Sequence, residues 1–173
     1  MNAALDLLIE RGAAGTSIEA VAQRAGVAKL TVYRRWKAKE DLLMAALEHA
    51  RNPDTDADPA GHSIDELVAN IADLLSRPRF RALMARVVGA SVDYPHLVAA
   101  YTKRYLRPRL DALTATARQA VAAGHFPPDT DPGVIQDILA SAIAAVLLQQ
   151  EEVTAAQIEH RLRTLLHHIG YQP

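Results

Sequence analysis

Apolar residues recur along this chain at the three-to-four-residue spacing of a helical face, segment after segment. Ala4, Leu5, Leu8 and Ile9 predict a first helix that ends before Gly12. Ser17 caps a second, which places Ile18, Val21 and Ala22 on one face and leaves through Gly26, a residue free to adopt left-handed backbone. A third helix starts near Ala28 and turns Val32 and Trp36 inward, so Lys29, Thr31, Tyr33, Arg34 and Arg35 project outward or sideways. Leu42, Leu43, Ala46 and Leu47 mark a fourth. Residues 52–62 hold two prolines, a glycine and no large apolar side chain, and read as an exposed linker.

Beyond the linker the helical pattern resumes. Ser63 and Glu66 make a capping box ahead of Ile64, Leu67, Val68, Ile71, Leu74 and Leu75, and Arg77-Pro78 ends that helix. Phe80, Leu83, Met84, Val87 and Val88 trace the next, closed by Asp93-Tyr94-Pro95. One long helical segment is expected from Pro95 to Ala123, kinked or interrupted at Pro108 and ended by Gly124. Asp131-Pro132 starts a helix in which, from Val134 to Leu148, only Gln136, Asp137 and Ser141 are polar. A Thr154–Gln157 capping box opens the last helix, with Ile158, Leu162, Leu165, Leu166 and Ile169 on its stripe. The expected fold is all-α, with a small helical domain over residues 1–51 and a larger one over 52–173. The near-continuous apolarity of the Val134–Leu148 helix calls for cover on more than one side. We therefore expect the last two helices to pack against their symmetry mates in a homodimer, with Ala140, Ala144 and Ala145 permitting close approach.

Composition narrows the function. Half of the 173 residues are hydrophobic and 5% aromatic. The net charge of −1 hides an asymmetry: residues 1–51 carry eight basic and six acidic side chains, whereas the remainder carries eleven and fourteen. There is no cysteine, which excludes disulfides and thiolate zinc sites. No apolar run approaches the roughly 18 residues of a membrane span, and no signal peptide is apparent, so the expected location is the cytoplasm without membrane association.

The chemistry concentrates in residues 16–41, two short helices around a tight turn. From Arg24 through Lys39 there are six basic residues and no acidic one. A cationic helix behind a glycine turn suits duplex DNA. Lys29, Arg34 or Arg35 offer guanine-directed donors, and Ser17, Thr31, Tyr33, Lys37 and Lys39 suit phosphate oxygens. Gly26-Val27-Ala28-Lys29-Leu30-Thr31-Val32-Tyr33-Arg34-Arg35-Trp36, followed by Lys39-Glu40-Asp41-Leu42-Leu43, resembles the helix-turn-helix signature of the TetR/AcrR (tetracycline-repressor-like) regulators over roughly the first fifty residues. Ala28 and Leu30 depart from it, since the family often has Ser and Gly or Pro there. The family also usually has a longer, often basic segment ahead of the first helix, whereas this chain starts almost inside that helix.

The resemblance implies an N-terminal three-helix helix-turn-helix domain and a C-terminal helical domain for ligand binding and dimerisation through a four-helix contact. It implies backbone anchoring by Thr31, Tyr33 and Lys39, base preference set by the basic pair, and packing by Trp36. It also implies a small-molecule effector pocket, for which Met84, Tyr101 and Tyr105 are the candidate lining residues. The expected protein is a repressor of a palindromic double-stranded operator, with no cofactor, metal or enzymatic activity. Two rivals remain: a ligand-binding helical dimer that no longer binds DNA well because its amino-terminal arm is absent, and a helical-bundle enzyme using a histidine and a carboxylate from the larger domain. Asp54, Asp56 and Asp58 alternate like the start of a calcium loop with Asp65 at its twelfth position, but Pro59 replaces the turn glycine, so they read as an acidic linker. His160, His167 and His168 read as surface residues near a helix C-terminus.

Overall fold

The pattern of apolar positions becomes helices α1 (Asn2–Arg11), α2 (Ile18–Ala25), α3 (Lys29–Arg35) and α4 (Lys39–His49), then α5 (Ile64–Ser76), α6 (Pro78–Gly89) and α7 (Pro95–Tyr101). After a π-helical turn at Thr102–Leu106 come α8 (Arg107–Ala122), α9 (Pro132–Leu147) and α10 (Ala155–His168). The computed structural model describes residues 1–50, 62–149 and 151–173, and every regular element among them is helical. The linker assignment, apart from His62, and the Asp54, Asp56, Asp58 alternation lie outside the described residues. No helix of the described residues is long and apolar enough to cross a membrane.

Chain contacts divide the described residues into two units, the first formed by residues 1–50 and 82–103, the second by 62–81, 104–149 and 151–173. In the first, α1 and α4 each bury two faces. Ala4 and Leu7 of α1 and Leu42 and Ala46 of α4 meet Ile18, Val21, Ala22 and Val32 of α2 and α3. Leu5 and Leu8 of α1, with Leu43 and Leu47 of α4, meet Leu83 and Val87 of α6 and Leu97 of α7. A leucine taken fully out of water contributes about 1.5–3 kcal/mol, so both faces matter to the rigidity of α1 and α4. Arg86 of α6 reinforces this packing: its Nε donates to the Ile9 carbonyl (3.0 Å) and its Nη2 to that of Glu10 (3.1 Å), satisfying acceptors at the C-terminal end of α1.

The second unit packs α5 against α10 and α8 against α9 around Leu67, Val68, Leu113, Ile135, Leu139, Ile158, Leu162 and Leu166. Both expected capping boxes form, at Ser63–Glu66 and Thr154–Gln157. Asp131 accepts from the Gly133 N–H (2.8 Å) with Pro132 in the first turn of α9. The Pro95–Ala123 segment is interrupted as its proline requires. Pro108 lacks the N–H that would bond one turn back, and the wider π-helical turn immediately before it accommodates its ring.

α10 uses Ile158, Leu162 and Leu166 inside the unit, where Asp65 of α5 pairs with Arg163 and accepts from the Tyr171 hydroxyl (2.9 Å). His167 and His168 occupy its last turn, with His168 Nδ1 2.7 Å from the Thr164 carbonyl. α9 buries Ile135, Leu139, Ala142 and Val146, while Val134 and Leu148 stay exposed and Ile138 and Ala145 half-buried.

Candidate nucleic-acid interface

Local sequence chemistry sets the angle between α2 and α3. Ser17 Oγ accepts from the Ala20 N–H (3.1 Å) and starts α2. Gly26, at φ +66° and ψ 30°, ends it: the Gly26 N–H donates to the Gln23 carbonyl (3.2 Å) and the Val27 N–H to that of Ala22 (3.0 Å). This is the paired bonding of a Schellman turn, which only a left-handed residue closes without strain. α3 follows after Ala28, which has no side-chain oxygen with which to cap it. Val32 is buried and Trp36 packs half-buried against the same core, so the remaining side chains of α3 are turned away from it.

On that outer side Thr31, Tyr33, Arg34, Arg35 and Lys37 are all exposed. Lys29 is exposed too, but its ammonium lies 2.5 Å from Glu19 Oε1 on α2 and 5.4 Å from the Tyr33 ring centroid. The Tyr33 hydroxyl donates to the same carboxylate oxygen at 3.1 Å. Glu19 is consequently held down to about 2, chiefly by the Lys29 hydrogen bond and then by its own backbone N–H and Tyr33, and Lys29 is raised in turn by Glu19. The run from Arg24 to Lys39 has no acid of its own, yet α2 supplies one to it.

Lys39, in the first turn of α4, is half-buried. Its ammonium donates to the Ala14 carbonyl (3.1 Å) and the Tyr94 hydroxyl (2.9 Å), engaging two of its three N–H groups within the first unit. Arg24 pairs with Glu10 at 2.6 Å, holding α2 to α1 and lowering the Glu10 carboxyl. Glu19, Tyr94 and Arg86 were not singled out from the sequence. Their partners stand ten to seventy-seven positions away, beyond any helical period.

Of the three effector candidates, Met84 and Tyr101 meet in the first unit, half-buried, the Tyr101 hydroxyl donating to Met84 Sδ at 3.4 Å. Tyr105 belongs to the second unit and is buried there, 5% exposed.

Residues 1–46 match the family model described as bacterial regulatory proteins, tetR family, and residues 53–165 that of the tetracyclin repressor-like C-terminal domain. The chain is 30% identical over 146 residues to a DNA-binding transcriptional repressor TetR of Mycobacteroides abscessus, covering 78% of this chain and 73% of that protein. It is 27% identical over 156 residues to an uncharacterized HTH-type transcriptional regulator, YdeS, of Bacillus subtilis, covering 86% and 76%. Salmonella enterica GusR has the same fold, with a TM-score of 0.76 at 21% identity, over 98% of this chain and 92% of that one.

Proposed function

The chain belongs to the TetR family of bacterial transcriptional regulators, and from that premise we propose that it is a cytoplasmic homodimeric repressor, released from a palindromic operator by a small-molecule effector. The observation that carries this reading is the exposed cationic side of α3, displayed beyond a capped α2 and a left-handed Gly26 turn. Residues 1–51 serve as the DNA-binding domain and 52–173 as the effector-binding and dimerisation domain. Arg34 and Arg35 address base edges, with Lys29 joining them once it leaves Glu19. Ser17, Thr31, Tyr33, Lys37 and Lys39 hold phosphates, Lys39 through its third N–H. Met84, Tyr101 and Tyr105 are the effector-facing candidates.

Two arguments support dimerisation. One seven-residue recognition helix reads too few bases alone, whereas two held roughly 34 Å apart enter successive major grooves. The apolar stripe Val134, Ile138 and Ala145 on α9, continued by Leu148 at its C-cap and left outside its own core, fits a two-fold contact in which α9 and α10 pack on their mates. In vitro selection of the DNA site, followed by gel-shift titration at several salt concentrations, tests the reading. Specific, steeply salt-dependent binding is expected. Tyr33→Ala should weaken all duplexes alike, while Arg34→Ala or Arg35→Ala should relax preference at one base position. Equal losses on operator and random DNA for both arginine variants would refute the base-reading roles.

A further inference from the structure

Leu30, the second residue of α3, is 62% exposed, and Val27 just before the helix is 43% exposed. Neither joins the core that takes up Val32 and Trp36. Leu30 lies one turn before Arg34 and so shares its face, with Lys29, Arg35 and Lys37 exposed nearby on the same segment. An apolar side chain held in water among cations matches a surface with negative walls and an apolar feature on its floor. The major groove of duplex DNA has that character, because phosphates line it and the thymine C5-methyl group is the apolar group its floor presents. Lys29 is meanwhile engaged by Glu19 at 2.5 Å, so at the start of α3 the exposed Leu30 stands beside a cation that already has a partner.

Resting on the DNA-binding reading above, we propose that Leu30 is a specificity-determining residue that packs against a thymine methyl in each half-site. The contact selects thymine over cytosine, adenine and guanine without a hydrogen bond. It also gives a role to the one position of the motif where a bulky apolar residue stands in place of a small or cyclic one.

The test is the selected operator duplex with single thymines replaced by deoxyuridine, which removes the methyl and leaves base pairing intact, titrated by fluorescence anisotropy. At one symmetric pair of positions the wild type should lose about fourfold affinity per methyl removed, or about fifteenfold for the two half-sites, by the usual worth of a buried carbon group. Leu30→Ala should bind the thymine and deoxyuridine duplexes equally at that position while keeping its response elsewhere. Indifference of the wild type to deoxyuridine at every position overturns the proposal. So does methyl sensitivity that survives Leu30→Ala and disappears in Thr31→Ala. Absence of selective binding to any duplex would overturn the DNA-binding reading itself, and the two failures are therefore distinct.

Discussion

Glu19→Gln isolates the carboxylate that engages Lys29 of α3. In the wild type the Glu19 carboxylate lies 2.5 Å from the Lys29 ammonium and accepts from Tyr33 at 3.1 Å, so the trio presents little net charge to a phosphate. The amide has the same shape without the charge, and Lys29 then offers a full positive charge. On random duplex the freed Lys29 takes a phosphate in place of a base edge, and each phosphate neutralised steepens the dependence of log affinity on log salt by about 0.9, so a dimer should steepen by about 1.8. Raising salt from about 50 to about 200 mM would then cost the variant about twelvefold more affinity for random duplex than it costs the wild type. At low salt the variant should bind random DNA more tightly, and its preference for operator should fall. Thermal stability should barely change, because both side chains are about half exposed and such pairs contribute little to folding. Mild acid does not mimic the substitution. Lys29 and its neighbours hold Glu19 down to about 2, so at pH 5 the carboxylate is still charged. Anisotropy titrations on a random duplex across a salt series measure the slope directly, and equal slopes for variant and wild type would refute the masking of Lys29 by Glu19.

Two further substitutions probe the scaffold. Gly26→Ala places a side chain at φ +66°, where its Cβ meets nothing within 4 Å, so the cost is backbone strain of about 1–2 kcal/mol, read by denaturant unfolding. Operator affinity should fall with it as the α2–α3 angle loosens, and an unchanged unfolding midpoint would contradict the turn assignment. Tyr171 is raised to about 12, first by burial and then by its bond to Asp65. A raised value means its contribution is complete below pH 10 and is lost between about 10 and 12. Tyr171→Phe should cost about 1 kcal/mol at neutral pH, and the gap to wild type should close over that alkaline range. A gap that does not narrow would show that the hydroxyl is not the titrating group.

Features that depend on residues within one or two turns were legible in the chain. The caps at Ser17, Ser63 and Thr154, the Gly26 exit, the inward Val32 and Trp36, and the interruption ahead of Pro108 each follow from interactions over at most five positions. Periodicity also showed that α9 is apolar beyond one face. It could not say that α1 and α4 bury two faces, one against α2 and α3 and the other against α6 and α7, because a two-faced helix loses the single stripe that periodicity detects.

By itself the sequence determined the helices, their ends and the cationic character of α3, since backbone hydrogen bonds, caps and side-chain spacing are local. Tertiary structure decided which of those cations are already engaged: Lys29 by Glu19 across the α2–α3 crossing, and Lys39 by Tyr94 fifty-five positions away. A charge carries no label for its partner along the chain. Only folding, by burying apolar faces whose members lie far apart in sequence, brings those groups within hydrogen-bonding reach.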